Sequence, residues 1–422
     1  MTSNGKPRVV VLGGGFAGLE SAFLLRSKLG DRVDITLVSD RDDFLFKPNT
    51  IYIPFGGSVD SLLIPLDPPA GKRQIRRVSG SFESLDKERR VVRVEGQELQ
   101  YDYLVLATGA GMRPEEVPGL ADHAETIWTP KEMSALGDRL DGLVETSSDG
   151  ARRKLVFLVP QNNKCAGPLY EIVLMVDTWL RRKHVRGRFE LVWATYEPMY
   201  IAAFGPKLHD VVVDEFRERG IEGHTGWRVS AVDETGVDFE NGQRLAHDLL
   251  VAFPPYVAAV RYEALAQDER GFLETELGSR LVVGEDRIYA PGDAGDFPVK
   301  QAFLAFLQAD ATAEDIAARI EGREPRFSFD PVSMCVMEEF DKATFAQVPL
   351  RITGDPAHPV EVRPGANGTY RVGTSRAWRL GKKMLGLYLP LRFRAGKPFH
   401  AGAPWKAMEI GLSAMSTTLA RK

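Results

Sequence analysis

Apolar residues along this chain fall in short, nearly continuous runs, each followed by a longer stretch with helical spacing. That alternation is expected of strands buried on both faces and covered by helices. The run Val9-Val-Val-Leu12 predicts a strand over 8–12, then a glycine turn and a helix over 17–29. A second strand is predicted over 33–38, a charged loop over 40–43, and a strand over 104–109. The alternation restarts with a strand over 155–159, a helix near 169–183, a strand over 189–194 and a returning strand over 249–255. Residues 287–293 predict one more strand ending in a turn, and 300–320 a long helix. Beyond Gly322 only short β-like runs remain, over 350–353, 360–362 and 370–374. The expected fold class is α/β, with two Rossmann-like dinucleotide-binding domains of the three-layer ββα kind. Their expected extents are 1–112 with 270–325 for the first and 113–269 for the second. Residues 326–422 would form a C-terminal α+β region ending in an amphipathic helix.

Composition narrows the class. At 422 residues, 44% hydrophobic and 27% charged, the chain can bury two or three cores. Two cysteines, Cys165 and Cys335, cannot staple an extracellular scaffold. Residues 1–7 run directly into the first strand, so no signal peptide is expected, and no apolar window reaches the roughly 18 residues of a transmembrane helix. A cytoplasmic location follows. The net charge of −4 conceals an asymmetry, because residues 371–422 carry eleven Lys/Arg against the single acid Glu409. In Trp378-Arg-Leu-Gly-Lys-Lys-Met-Leu-Gly-Leu-Tyr-Leu-Pro-Leu-Arg-Phe-Arg394 apolar and aromatic residues interleave with the bases. The mixture favours an anionic membrane surface over nucleic acid, with peripheral binding on the cytoplasmic side. A packed final helix with a solvated face is the simpler alternative.

Gly13-x-Gly15-x-x-Gly18 follows a predicted strand and opens a helix. Gly13 would permit the tight turn, Gly15 the approach of backbone to a pyrophosphate, and Gly18 close helix–strand packing, with Phe16 and Ala17 at the helix start. The second strand ends in Ser39 and Asp40, either of which could take the ribose role; Asp40 could equally be a solvated loop charge. The corresponding turn of the second half, Pro160-Gln-Asn-Asn-Lys-Cys-Ala-Gly167, has one glycine. Side chains of Gln161, Asn162 and Asn163 would crowd a phosphate there, which disfavours a nicotinamide nucleotide. Lys164 and the helix start could lower the Cys165 thiol pKa. The histidines lie apart without ligand spacing, so no metal site is expected.

Two further segments, Tyr103-Leu-Val-Leu-Ala-Thr-Gly109 and Ile288-Tyr-Ala-Pro-Gly-Asp293, resemble the FAD motifs of two-dinucleotide flavoproteins. The resemblance implies non-covalent FAD held by Gly13, Gly15, Phe16, Ala17, Gly18, Ser39, Asp40, Ala107, Thr108, Gly109, Gly292 and Asp293. Lys300, with the helix dipole behind it, would stabilise the reduced pyrimidine edge. With Cys165-Ala-Gly-Pro-Leu-Tyr-Glu171, Tyr196-Glu-Pro198, Pro291-Gly-Asp-Ala-Gly-Asp-Phe-Pro-Val-Lys300 and Cys335, the chain resembles the sulfide:quinone oxidoreductase and flavocytochrome c sulfide dehydrogenase group over nearly its whole length.

That resemblance implies a Cys165/Cys335 redox pair oxidising sulfide or a small sulfur species, a quinone acceptor and monotopic membrane binding. Hydrosulfide attack on a disulfide of this pair would leave a persulfide and a thiolate. Quinone would enter from the C-terminal side, with Phe303, Tyr388, Phe393, Phe399 and His400 as candidates. The chain departs from the family where a third cysteine would stand, at Trp128. Family histidines are replaced near Glu132 and at Ala202 or Ala203, so Glu171 or Glu197 would handle protons. Two other functions fit the same fold: a type II NADH:quinone oxidoreductase, and a non-catalytic flavin-bound redox sensor. Oligomeric state is left open.

Overall fold

The computed structural model describes residues 5–148, 152–366 and 368–419, so the leader-free N-terminus expected from residues 1–7 falls largely outside them. Val9 to Leu12, at most 2% exposed, lie inside strand β1 (Arg8–Leu12), and helix α1 (Phe16–Leu29) returns the chain to β2 (Asp34–Ser39). Strands β3 (Arg76–Ser79) and β4 (Tyr103–Leu106) follow. The second unit comprises β5 (Glu125–Thr126), α2 (Pro130–Thr146), β6 (Arg153–Val159), α3 (Gly167–Arg182), β7 (Phe189–Thr195), α4 (Gly205–Arg219), β8 (Ile221–His224) and β9 (Leu249–Ala252). The chain then re-enters the first unit with β10 (Ile288–Tyr289) and α5 (Ala302–Glu321). Strands β11 (Val332–Glu338), β12 (Ala343–Ile352), β13 (Val360–Val362) and β14 (Arg371–Ser375) precede helices α6 (Arg376–Arg394) and α7 (Ala403–Leu419).

Two parallel five-stranded sheets result, ordered β10-β4-β1-β2-β3 and β5-β9-β6-β7-β8. β1 sits centrally, in register Val9↔Ile35 with β2 and Val9↔Tyr103 with β4. Strands so enclosed must be apolar on both faces, which explains the continuous runs in the sequence. The expected α/β architecture with two Rossmann-like units is the observed one. Boundaries differ where glycine or proline intervenes. β4 stops at Leu106, and residues 107–109 peel away into a turn with Gly109 at φ +76. β10 has only two residues because Pro291 and Gly292 (φ +77) end it.

The C-terminal region builds an antiparallel sheet, β11-β12-β13 with β14 also on β12, in which Cys335 lies opposite Ala346. The β11–β12 hairpin is docked through Arg219 of α4. Its buried guanidinium reaches Asp177 of α3 at 3.1 Å, Glu339 at 2.9 Å and Asp341 at 3.0 Å. Helix α6, capped by Ser375, buries Trp378, Lys382 and Phe393. Its other face exposes Leu380, Met384, Leu387 and Leu391, spaced i, i+4, i+7 and i+11 on one stripe.

Arg219→Met would strand the buried Glu339 carboxylate and loosen the hairpin that carries Cys335. The expected loss is about 3 kcal/mol or more in urea unfolding, since removing one partner of a buried ionic cluster leaves the others uncompensated. An unchanged midpoint would show that the cluster does not hold the hairpin.

Candidate functional site

The glycine turn is shaped by contact. Gly13 has φ +115, and a Cβ there would stand 2.1 Å from the Ala107 carbonyl oxygen; one on Gly18 would stand 2.0 Å from the Gly13 oxygen. A Cβ on Gly15 would meet nothing within 4 Å, because this glycine opens onto a cavity of about 1120 Å³. The cavity starts at the turn, where Gly13, Gly15, Phe16 and Ala17 line it, and passes Ser39 and Asp40. Ala107, Thr108 and Gly109 form another wall, and Asp293 and Lys300 stand further in. Gly18 and Gly292 do not line it: they are packing glycines, the latter with its absent Cβ facing Ala17 at 2.8 Å. Ser39 Oγ is engaged by the Arg41 backbone, and Asp40 is exposed at the rim. The Lys300 ammonium is turned to the Gly295 carbonyl and the Phe272 ring, and burial brings its pKa down to about 7.

The second turn is closed by its own side chains. Asn163, 5% exposed, donates from Nδ2 to the carbonyls of Phe253 (2.8 Å) and Pro254 (3.2 Å) beyond β9, and its Oδ1 accepts from Cys165 N at 2.9 Å. Gln161 exchanges bonds with the Val229 backbone, and Asn162, at φ +63, reaches Glu116. Three side chains therefore stitch the turn to the segments around Val229, Glu116 and Phe253–Pro254.

Cys165 and Cys335 both line the cavity and are free thiols. Burial raises the Cys165 thiol, with Cys335 and Asp293 adding to the rise and the Gly167 N–H at the start of α3 opposing it. Burial pushes Cys335 up to about 12, with Glu171 adding and Lys382 opposing. The expected lowering by Lys164 is overturned: the loop takes the thiol out of water, and desolvation exceeds the one helix-start N–H.

Beside Cys335, Glu171 of α3 pairs with Lys382 of α6 and accepts Glu338 N at 2.6 Å. Glu338 also receives Tyr52 OH at 2.7 Å and Arg379 Nε at 2.9 Å. Lys382 was not among the residues singled out in the sequence, because one lysine of a basic tail looks like any other. Lys47 was missed as well; its ammonium stands 3.0 Å from the Trp128 ring centroid, at the place of the family's third cysteine. Glu132 serves as a helix cap, accepting Trp128 N and Thr129 N at 2.7 Å each. Glu197 lines the cavity, and burial raises its carboxyl to about 7 against hydrogen bonds from Ala202 N and Thr195 Oγ1.

At the C-terminal end Phe303, Phe306, Leu385, Leu389 and Trp405 line the cavity. Phe393 and Phe399, at most 1% exposed, are core residues packed with Phe44, so the expectation of quinone contact is corrected for both. Tyr388 and His400 lie behind the lining.

Glu197 sets a pH dependence. Its folded pKa lies above that of an unfolded glutamate, so its contribution to stability is greatest below about pH 4.5 and is lost as pH rises through about 7. Glu197→Gln should therefore lose less stability than the parent between pH 5 and 8, by no more than about 3 kcal/mol. Parallel curves from thermal melts across that range would contradict the assignment.

Residues 7–142 match the family described as pyridine nucleotide-disulphide oxidoreductase. The sulfide-quinone reductase of Aquifex aeolicus is 29% identical over 258 residues, covering 59% of this chain and 57% of that protein, less than two thirds of its length. A type II NADH:quinone oxidoreductase of Staphylococcus saprophyticus is 20% identical over 78% of this chain and 86% of that protein. The crystal structure of the sulfide:quinone oxidoreductase from Aquifex aeolicus superposes with a TM-score of 0.85 at 22% identity, covering 96% of each chain. Fold and sequence together bear out the resemblance of this chain to the sulfide:quinone oxidoreductase group of the pyridine nucleotide-disulphide oxidoreductase superfamily.

Proposed function

We propose that the chain is an FAD-dependent oxidoreductase that draws electrons from sulfide, or a related small sulfur species, through Cys165 and Cys335 and delivers them to quinone at a membrane surface. One observation carries the reading: both cysteines line the cavity that begins at the glycine fingerprint, while the turn that would take a nicotinamide nucleotide is filled by Gln161, Asn162 and Asn163. The cradle fits a dinucleotide. Gly15 leaves space for a pyrophosphate, the first N–H groups of α1 offer positive dipole, and Asp293 stands in the cavity wall for the ribityl chain. Non-covalent attachment agrees with Trp128 at the place of the third cysteine. Bound there, FAD would supply a two-electron exchange between sulfur and quinone.

The chain's own residues do the rest. The buried position of the pair keeps both thiols protonated at neutral pH when reduced, so a base must take the proton before either sulfur attacks. Glu197, with its pKa near 7, and Glu171, bridged to Lys382, line the same cavity and are the proposed bases. The residue extents of the three domains stand as part of the same proposal.

Titrating the purified flavoprotein anaerobically separates this reading from its rivals. Sulfide should bleach the flavin and NADH should not, and Cys165→Ser and Cys335→Ser should each slow sulfide bleaching at least about 100-fold. Bleaching by NADH alone would favour the NADH:quinone oxidoreductase reading. Sulfide bleaching without transfer to any quinone analogue would favour the redox sensor.

Membrane attachment is proposed through α6. Its exposed Leu380, Met384, Leu387 and Leu391 stripe would insert while Arg376, Lys383 and Arg394 meet lipid phosphates. Among the described residues no helix is long and apolar enough to cross a bilayer. The protein should float with vesicles containing phosphatidylglycerol, and replacing Leu387 and Leu391 together by Ser should weaken this roughly tenfold or more. Flotation unaffected by that change would remove α6 as the anchor.

A further inference from the structure

Two lysines of the cavity wall, Lys47 and Lys300, act on the Asp293 carboxyl: burial raises it, and first Lys300 and then Lys47 oppose the rise. They differ in what holds them. The Lys300 ammonium is fixed by the Gly295 carbonyl and the Phe272 ring. The Lys47 ammonium lies on the Trp128 ring, 3.0 Å from its centroid, and among the described residues it has no hydrogen bond or ion pair. Its backbone is set, because Lys47 opens the 3₁₀ segment Lys47–Phe55, with Pro48 following and the Thr50 hydroxyl donating to the Lys47 carbonyl at 2.8 Å. The Trp128 ring is set as well, edge-to-face on Tyr256 at 5.6 Å and 6.2 Å from Phe253, with Glu132 on its backbone N–H. Tyr256 leads on to the sulfur pair: burial raises its hydroxyl, and Cys165 and Asp293 add to the rise. Lys47, Trp128, Tyr256, Cys165 and Asp293 all line the same cavity, so this ammonium stands at its redox end.

Packing accounts for part of this, since a lysine stem and its ammonium cover an indole ring well. It does not account for an ammonium taken out of water beside a cavity with no anion bonded to it. Burial brings the Lys47 amine down to about 7; Asp293 opposes that fall, Arg41 adds to it, and Glu132 opposes it. We propose that Lys47 supplies the counter-charge for the FAD ring when sulfur reduces it, making that reduction more favourable. This rests on the flavin reading above. Two-electron reduction brings two electrons from sulfur and one proton to the ring, which leaves one negative charge on it. Where Lys47 is neutral, its amine takes one proton from water as that charge develops; where it is already an ammonium, it acts as it stands. The sequence points to Lys300 for this role, but the Gly295 carbonyl and the Phe272 ring already occupy that ammonium.

The test reduces the purified flavoprotein anaerobically in equilibrium with a reference dye, from about pH 6 to 9, and reads both absorbances. The readout is an equilibrium of the bound cofactor, independent of the sulfur substrate and of quinone, and its pH dependence counts the protons taken up. At pH 7 Lys47→Met should shift the equilibrium at least about tenfold towards oxidised flavin, about 30 mV for two electrons. Above about pH 7 it should also take up about one proton fewer per two electrons than wild type. Lys47→Arg, whose charge is permanent, should keep the flavin at least as reducible as wild type and likewise lose that proton. Lys300 and Asp293 are common to all three proteins, so the differences report Lys47. Wild-type equilibrium and proton uptake in Lys47→Met would overturn the role of Lys47 while sparing the flavin reading. Wild-type proton uptake in Lys47→Arg would do the same, and decides the matter if Lys47→Met does not retain FAD. A wild-type protein that binds no FAD would overturn both.

Discussion

The side chain of Asn163 fixes the point on which the site depends. Buried and fully engaged, it ties the turn after β6 to the end of β9 and holds the Cys165 N–H, while the Asn163 backbone carbonyl accepts Tyr196 OH at 3.1 Å. The Asn162 carbonyl takes Tyr256 N and the Lys164 carbonyl takes Lys300 N, so one turn joins the second sheet to the loop entering α5. A glycine turn would leave this backbone open to a phosphate; amide side chains instead make it a rigid shelf for a sulfur atom. The same amide side chain that fills this turn also holds the Cys165 N–H.

Cys335 reaches the shelf from an unrelated part of the chain, and buried charge holds it there. Arg219 fastens the hairpin to α3 and α4, and Glu171 and Glu338 tie β11 to Lys382 and Arg379 of α6. The helix with the exposed apolar stripe is therefore bonded to the strand that carries a proposed redox sulfur through Arg379–Glu338, and to α3 through Lys382–Glu171. Such pairs contribute little net stability over an apolar core, but breaking one is costly. They fix the register of α6 against β11 and α3.

Much of this was legible in the sequence, for identifiable reasons. Both-face burial gives parallel strands an unambiguous pattern, so the β1–α1–β2 and β6–α3–β7 units could be read directly. The glycine fingerprint was legible because close backbone contact at Gly13 and Gly18 allows no other residue. The strand bearing Cys335 was not, since Val332–Glu338 mixes polar and apolar residues on a half-buried sheet. Lys382 and Lys47 were illegible because their roles come from partners distant in the chain. Phe393 and Phe399 illustrate the reverse error: aromatic residues in the expected region proved to be core, and Phe306 and Trp405 took the cavity wall. Lys164 was misjudged because charge adjacency in sequence says nothing about desolvation, which governs the Cys165 thiol.

The central claim is that sulfur enters at the Cys165/Cys335 pair. Peptide mass spectrometry on protein quenched during sulfide turnover with quinone tests it most directly. The account predicts sulfur-extended species confined to the peptides containing Cys165 and Cys335, as persulfides or as a bridge joining the two. Recovery of both residues as unmodified thiols while turnover proceeds would contradict it.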